Sequence, residues 1–294
     1  MRIAFLQFGA GGDILQATII CRKLRELYPN DEIVWICLDI YRDFIKNNPD
    51  IDSYIAWPLV PGLSRQQQEV QRWNEIKQYA YENFDKVIAP QYWPDHVADW
   101  SRNLKETLLD LMIEYAGLGP VENRKIIYDC NKKDESVAID FMKKNKLEKR
   151  NFICVAPYAN SVGRLLKASD YIELQKHLRD KKVIFFGSKN DELLSFGVNA
   201  LGTSIGVMYA LFKRSSGFIG LESAPAIMCS NIYHVPMIVL RNPLTFDLNK
   251  IGLIACKIRI ENITEIIIRD NIRELFSHVA HSLFDTMPTE IEHE

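Results

Sequence analysis

The chain has 294 residues, of which 47% are hydrophobic and 25% are charged, as in soluble globular proteins of one large or two ordinary domains. Its formal net charge of −2 excludes an overall field that attracts nucleic acid or an anionic membrane. No apolar run approaches the roughly 20 residues of a membrane span, so the sequence predicts no transmembrane segment.

The cysteines and histidines indicate a cytoplasmic protein without a bound metal. None of the six cysteines belongs to a C-x-x-C pair, and most lie in apolar runs, as reduced buried thiols do. The six histidines show none of the spacings of a metal site. The chain begins directly with a predicted strand, and we expect neither a signal peptide nor a cofactor.

The first half of the chain alternates short buried strands with helices. Strands are expected at 3–8, 32–38, 54–57, 86–89 and 125–128. Helices are expected from about 13 to 28 and at 41–47, 66–81, 104–116 and 133–146. Residues 90–102 lack a clear periodicity and follow a strand, which predicts a loop at the carboxyl edge of the sheet.

The second half repeats this alternation. Strands are expected at 152–156, 182–186, 217–221 and 236–240, with an edge strand at 258–260, and helices at 169–178, 207–212 and 225–229. The basic, polar run 143–150 predicts the boundary between a first domain of 1–146 and a second of 147–265. Residues 266–294 are expected to form a helix (266–283) that returns to the first domain, and a disordered tail. The predicted fold class is α/β, with two Rossmann-like domains that face each other across a cleft.

A glycine-rich turn follows the first predicted strand and contains Gly9, Gly11, Gly12 and Asp13. Such a turn lies at the carboxyl edge of a parallel sheet, where open α/β folds bind ligands. Asp13 therefore has two interpretations, the N-cap of the following helix or a group that contacts substrate. A dinucleotide site is disfavoured because Ile14 stands where the third glycine of G-x-G-x-x-G belongs.

A second candidate site follows the predicted strand 217–221. Ser223 suits a helix N-cap and Pro225 suits the first helical turn, where free backbone N–H groups can bind an anion. Glu222 is an acceptor for hydroxyl groups, so the combination fits a nucleotide sugar better than an ordinary capped helix.

A third candidate is the loop after the predicted strand 152–156. It contains Ser161, Arg164 and Lys167, which are suited to a leaving diphosphate. Ordinary surface charges are the alternative interpretation.

Together these segments resemble glycosyltransferase family 9, the heptosyltransferase-like family of the GT-B fold. Residues 12–18 (G-D-I-L-Q-A-T) resemble its N-terminal signature, and 218–228 (F-I-G-L-E-S-A-P-A-I-M) resemble its nucleotide-domain signature F-I-G-x-D-S-G-P-x-H-L. The loop with Ser161, Arg164 and Lys167 approaches the family's phosphate loop, and residues 203–205 resemble the segment before the second signature.

The resemblance implies an inverting, metal-independent transfer of a sugar from a nucleotide-diphosphate sugar to an acceptor hydroxyl. Asp13 would be the general base in the N-terminal domain. Lys167, Ser161 and the amides of 223–226 would stabilise the leaving diphosphate, Glu222 would accept from sugar hydroxyls, and Glu192 would bind the nucleotide ribose.

The expected donor-binding residues are Ser161, Arg164, Lys167, Gly187, Glu192, Thr203, Glu222, Ser223, Ala224 and Pro225. The expected acceptor-side residues are Gly11, Gly12, Tyr92, Trp93, Asp95, Trp100 and Arg102. The acceptor itself stays open, as a glycan, a protein, a small molecule or a nucleic acid.

The chain departs from the family pattern at Glu222 (usually Asp), Ala224 (usually Gly) and Ile227 (usually His), and it is shorter than typical members. These departures leave room for another sugar passed to a protein, a small molecule or a modified DNA base. A non-catalytic nucleotide-binding protein of the same fold is the remaining alternative.

Overall fold

The computed structural model describes residues 1–91, 106–159, 178, 181–186, 197–241, 253–254, 256–259 and 261–267. The protein forms two compact units, each with its own sheet. The first comprises Met1–Asp129 and Asn249–Arg259, and the second comprises Cys130–Leu248 and Ile260–Glu294.

The first unit contains a parallel sheet whose strand order in the described residues is β3-β2-β1-β4. Its strands are β1 (Arg2–Leu6), β2 (Glu32–Leu38), β3 (Ser53–Trp57) and β4 (Lys86–Ile88). Its helices are α1 (Gly11–Leu27), α2 (Arg42–Ile45) after a 3₁₀ turn (Asp39–Tyr41), α3 (Arg65–Asn83) and α4 (Leu108–Ala116). The four strands begin and end within two residues of the predicted bounds.

The centre of this sheet is apolar. Ile3, Phe5 and Leu6 of β1 are fully buried, and the ring of Phe5 packs edge-on against Trp35 with 4.6 Å between ring centroids. The indole Nε1 of Trp35 donates a hydrogen bond to the carbonyl oxygen of Gln7 at 2.8 Å. This bond ties the residue after β1 to the neighbouring strand and thereby fixes where the glycine-rich turn begins.

Two predictions for this unit need correction. Residues 125–128 form no strand, because the backbone N–H of Ile127 donates to Thr18 Oγ1 (2.9 Å) instead of to a sheet. The helix predicted from 104 begins at Leu108, because Thr107 and Asp110 form a capping box at that point.

The second unit contains a parallel sheet of order β10-β9-β8-β5-β6-β7 in the described residues. Its strands are β5 (Phe152–Ala156), β6 (Lys182–Phe185), β7 (Val198–Asn199), β8 (Gly217–Leu221), β9 (Met237–Arg241) and β10 (Ile263–Ile267). Its helices are α5 (Lys132–Lys144), α6 (Ile205–Phe212) and α7 (Ala224–Cys229). Phe212 packs edge-on against both Phe186 and Phe218, with 5.2 Å between centroids in each pair.

The elements predicted near the C-terminal end of the chain differ from those in the described residues up to 267. Residues 263–267 form β10, which pairs in parallel with β9, so the helix expected from 266 does not begin there. The β-branched residues of this segment (I-T-E-I-I) suit a strand. Of the edge strand expected at 258–260, the described residues Ile258 and Arg259 form no strand, since their N–H groups both donate to Leu253 O. The helix beyond 267 and the tail lie outside the described residues.

The two units divide earlier than predicted, after Asp129 rather than at 146. Helix α5 belongs to the second unit because its side chains bind residues beside α6. Ser204 Oγ donates to Asp134 Oδ1 at 3.1 Å, and Glu135 forms ion pairs with Lys213 and Arg214. The basic run 143–150 therefore comprises the last two residues of α5 and most of the turn that leads to β5. None of the described helices is both long and apolar enough to cross a membrane.

Candidate active site

The glycine-rich turn lies between β1 and α1, as predicted, but Asp13 is not the N-cap of the helix. The helix begins at Gly11, the N-cap position is Ala10, and in the described part of the chain no side chain caps it. Asp13 is thus the third helical residue and lies half-buried in the first turn. There its negative charge is favoured by the N-terminal end of the helix dipole. Capping therefore does not account for this aspartate.

Thr18, the last residue of the first signature, has a structural role. It is fully buried, and its Oγ1 donates to Leu15 O (2.6 Å) and accepts from Ile127 N (2.9 Å). One hydroxyl group thus holds the segment after α4 against α1.

Gln91 follows β4 at the same edge and was not identified from the sequence. Its side-chain Oε1 accepts hydrogen bonds from the backbone N–H groups of Phe8 and Gly9, both at 3.2 Å. Gln91 is 2% exposed. It therefore fixes the turn that carries Asp13. A polar residue directly after a strand at the ligand edge is the signal that could have identified it.

Three polar side chains pack closely against the backbone at Gly9. A Cβ at this position would lie 3.1 Å from Gln91 Nε2, 3.4 Å from Asp13 Oδ2 and 3.4 Å from Gln7 Nε2, which is tight contact. The absence of a side chain at Gly9 therefore lets Gln7, Gln91 and Asp13 approach the turn.

In the second unit, Glu222, Ser223, Ala224 and Pro225 lie together where β8 leads into α7. Ser223 occupies the predicted N-cap position, but its hydroxyl donates to Leu221 O at 2.9 Å and makes no capping bond to the helix. Pro225 lies in the first helical turn, as predicted.

Glu222 is paired with Arg241, a second residue that the sequence did not reveal. The β8–β9 register sets Leu221 opposite Leu240, and each of the next two residues carries one charge. Arg241 Nε lies 3.2 Å from Glu222 Oε2, and the two residues are 5% and 7% exposed. The carboxylate expected to bind sugar is therefore buried beside a guanidinium group. An arginine ending a strand of buried apolar residues is the signal that could have identified it.

Thr203 lies between β7 and α6. Its Oγ1 donates to Ala200 O at 2.9 Å, and the next residue, Ser204, caps α6 by accepting from Val207 N at 3.2 Å. These bonds give the segment a structural role whether or not it also binds a donor.

Ten of the predicted site residues lie outside the described residues. They are Ser161, Arg164, Lys167, Gly187 and Glu192 on the donor side and Tyr92, Trp93, Asp95, Trp100 and Arg102 on the acceptor side. The strands that precede them are described. Because β5 pairs in parallel with β8, the chain leaves β5 from the sheet edge at which Glu222 lies.

The described residues contain no group of three or more His, Cys, Asp or Glu side chains arranged to hold a metal ion. All six cysteines are free thiols, and burial raises the pKa of Cys37 to about 12. Among the described carboxyl groups, Glu135 has a strongly lowered pKa. Burial opposes ionisation, but hydrogen bonds from Lys213, Cys130 and Arg214 outweigh it and lower the pKa to about 2.

Comparison with known proteins identifies the fold. No protein-family model and no curated protein sequence matches the chain. Among solved structures, the chain is similar to a glycosyltransferase of family 9 from Veillonella parvula, with a TM-score of 0.70 and 16% identity over 98% of this chain and 90% of that one.

Two heptosyltransferases from E. coli are similar as well. ADP-heptose LPS heptosyltransferase II gives a TM-score of 0.66 at 14% identity, covering 97% of this chain and 99% of that one. WaaC, in its structure with ADP-2-deoxy-2-fluoro heptose, gives 0.63 at 11% identity with the same coverage, 97% and 99%. The chain therefore has the α/β fold of these GT-B glycosyltransferases, as the sequence resemblance implied.

Proposed function

We propose that the protein is a glycosyltransferase that moves a sugar from a nucleotide-diphosphate sugar to an acceptor hydroxyl, with inversion and without a metal ion. The observation that carries the proposal is the position of Asp13. It lies in the first turn of α1, after the glycine-rich turn, in a chain whose fold matches heptosyltransferases over nearly its whole length. The resemblance of the two signatures supports the same activity.

In this proposal the hydroxyl oxygen of the acceptor forms a bond to the anomeric carbon of the sugar. The bond from that carbon to the diphosphate oxygen breaks, and its electron pair leaves with the diphosphate. Asp13 of the first unit takes the hydroxyl proton. The second unit binds the donor, and Lys167, Ser161 and the backbone N–H groups of Ser223, Ala224 and Ala226 take up the charge of the leaving group.

A donor with an adenine base is the first to test, because the similar WaaC structure holds an ADP-sugar analogue. The Glu222–Arg241 pair and the departures at Ala224 and Ile227 favour a sugar other than heptose, since they alter the segment that would contact it. The acceptor is a glycan, a protein, a small molecule or a nucleic acid. The free cysteines support a reducing, cytoplasmic location.

A thermal-shift screen tests this proposal. ADP, UDP, GDP and their commercially available sugar derivatives are added singly, since a ligand of the folded protein raises its melting temperature in proportion to RT ln(1 + [L]/Kd). We expect one nucleotide series to stabilise the protein and its sugar derivative to release nucleoside diphosphate slowly. Stabilisation without release, even with candidate acceptors present, would indicate the non-catalytic alternative. No stabilisation by any member would contradict both.

A further inference from the structure

Basic residues are concentrated where α5 turns into β5. Among the described residues of the second unit, six of them meet at this turn and at the start of β6, and we call them the basic patch: Lys143, Lys144, Lys146, Lys149, Arg150 and Lys182. Two acidic residues, Asp140 and Glu148, lie among these six, which leaves an excess of four positive charges. The chain as a whole has a formal net charge of −2, so this positive charge is local.

Hydrogen bonds hold the patch together at one edge of the second sheet. Lys182, the first residue of β6, donates from Nζ to the carbonyl oxygen of Lys146 at 2.6 Å. The end of the turn is fixed by Arg150, whose backbone N–H donates to the carbonyl oxygen of Arg214 at 2.7 Å. Because β5 and β6 are parallel and both begin here, the patch lies at the amino edge of the sheet, whereas Glu222 lies at the carboxyl edge.

Most of these charges face solvent and lack a close counter-ion. Four of the lysines are exposed: Lys143, Lys144, Lys146 and Lys149. Among the described residues, the only ion pair of the patch joins Lys143 Nζ to Asp140 Oδ1 at 3.9 Å, and the two side chains are 75% and 74% exposed. So long and exposed a pair contributes little binding energy. The patch therefore presents largely uncompensated positive charge to a partner.

The helix dipole explains part of this arrangement. The C-terminal end of a helix favours cations, and Lys143 and Lys144 lie in the last turn of α5. Lys182 likewise donates to a carbonyl oxygen just beyond that end. The dipole effect falls off within one helical turn, however, and Lys149 lies farther than that from the end of α5. Attraction of an anionic partner accounts for the residues inside and outside the helix alike.

The composition of the patch favours an anionic lipid surface as this partner. Protein interfaces have apolar cores that are poor in lysine. Among the described residues, none of the large hydrophobic side chains that are exposed lies within 143–150. Single strands of nucleic acid stack on aromatic side chains, and 143–150 contains no aromatic residue. Clusters of about four to eight Lys and Arg residues bind anionic lipid headgroups through charge alone.

We propose that the basic patch docks the protein onto a membrane surface that contains anionic lipids. The lysine side chains contact lipid phosphate groups, and the protein stays outside the hydrocarbon layer. Each lysine near such a surface strengthens binding by roughly fivefold, and salt weakens the attraction. The proposal goes beyond the proposed function and does not depend on it, because the patch contains none of the residues assigned to the donor or the acceptor.

Sedimentation with lipid vesicles tests this proposal. At about 0.1 M salt we expect the protein to bind vesicles of phosphatidylcholine that contain about 30 mol% phosphatidylglycerol, but not vesicles of phosphatidylcholine alone. The double variant Lys143→Gln, Lys144→Gln should bind the anionic vesicles roughly 10–30-fold more weakly. At about 0.5 M salt, where the Debye length is about 4 Å, binding by the parent protein should be lost.

The double variant Lys132→Gln, Lys133→Gln is the matched control. These two lysines are also exposed and belong to the same helix, but they lie at its other end. The two pairs are about 16 Å apart along the helix axis, which exceeds a Debye length of about 10 Å. The control removes the same charge and should bind anionic vesicles within about twofold of the parent. Equal losses in the two variants would mean that net charge rather than this patch attracts the lipid, and would overturn the proposal.

The other outcomes are equally decisive. A parent protein that does not sediment with anionic vesicles, or that sediments as well with neutral ones, overturns the proposal. Tighter binding to a DNA duplex of about 20 base pairs, lost in the Lys143→Gln, Lys144→Gln variant, would assign the patch to nucleic acid instead. Parent and variants should respond alike to nucleotides in the thermal-shift screen. Failure of the proposed function and failure of this proposal are therefore distinguishable.

Discussion

The two units each place a carboxylate where a strand of a parallel sheet leads into a helix, but they surround it differently. Asp13 lies at the glycine-rich turn, near the amide side chains of Gln7 and Gln91. Glu222, at the corresponding edge of the second sheet, is held by the guanidinium group of Arg241. In the proposed reaction Asp13 exchanges a proton with the acceptor hydroxyl. A carboxylate in a buried ion pair is fixed in position and stays charged, which suits binding rather than proton transfer.

The largest effect is expected from the first carboxylate. Asp13→Asn should lower kcat by about 10²–10⁴-fold, the usual contribution of a general base, because the amide cannot accept the hydroxyl proton. The Kd of the donor should change little, since in our proposal the second unit binds it. Glu26→Gln, on the same helix but exposed, is the control and should retain parent activity. If Asp13→Asn transfers as fast as the parent, Asp13 is not the base and the contrast between the two carboxylates has no functional meaning.

Substitutions in the Glu222–Arg241 pair should change the stability of the protein. Arg241→Met leaves Glu222 buried without this partner, and breaking a buried pair in this way costs about 3–5 kcal/mol of unfolding free energy. Urea unfolding of Arg241→Met, Glu222→Gln and the double variant measures the coupling between the two residues. We expect the double variant to be more stable than Arg241→Met. Additive effects would show that the pair is not a unit.

The sequence predicted the sheets well because a buried parallel strand is a short apolar run. The run 217–221 became β8 with the same bounds, and 152–156 became β5. Segments of mixed character were less predictable. Residues 263–267 combine strand-forming side chains with a helical spacing beyond them, and only pairing with β9 decides for the strand. Helix α5 was assigned to the wrong unit because its ion pairs with Lys213 and Arg214 join residues that are distant in sequence.

The candidate site likewise combines residues with local sequence signals and residues whose roles depend on distant partners. The glycine-rich turn and the Glu222–Pro225 segment were predictable because their signals are local. Gln91 and Arg241 were not, since their roles depend on partners elsewhere in the chain. Gln91 acts on backbone groups 82 and 83 residues earlier, and Arg241 pairs with a residue 19 positions away. The side chain of Gln7 is buried with no hydrogen-bond partner among the described residues, which no sequence pattern reveals. The predicted cleft between the units stays a prediction.

A smaller effect, on stability, is expected from replacing Glu135. This residue of α5 forms ion pairs with Lys213 and Arg214 and so helps to hold the helix in place. Hydrogen bonds from Lys213, Cys130 and Arg214 outweigh burial and lower its folded-state pKa to about 2 from 4.5. A depressed folded-state pKa stabilises the protein above the unfolded-state value and stops doing so as pH falls through the folded one. Glu135→Gln should therefore melt about 2 °C below the parent at pH 7, with a difference that shrinks between pH 4.5 and 2. A difference that does not change with pH would assign the loss to packing rather than to charge.

The smallest effect is expected from removing metal ions. If protein groups such as Lys167 and the amides after Glu222 take up the charge of the leaving diphosphate, no divalent cation is needed for that step. Incubation with 5 mM EDTA should then leave the release of nucleoside diphosphate within about twofold of the untreated rate, and 5 mM Mg²⁺ should add nothing further. Lys167→Ala sharpens the result, because loss of the cation should weaken diphosphate binding in the presence and absence of Mg²⁺ alike. Activity that EDTA abolishes and Mg²⁺ restores would mean that a metal supplies the positive charge. Glu222 would then be a candidate ligand of that metal ion. The two carboxylates would differ in that Glu222 binds a metal and Asp13 accepts a proton.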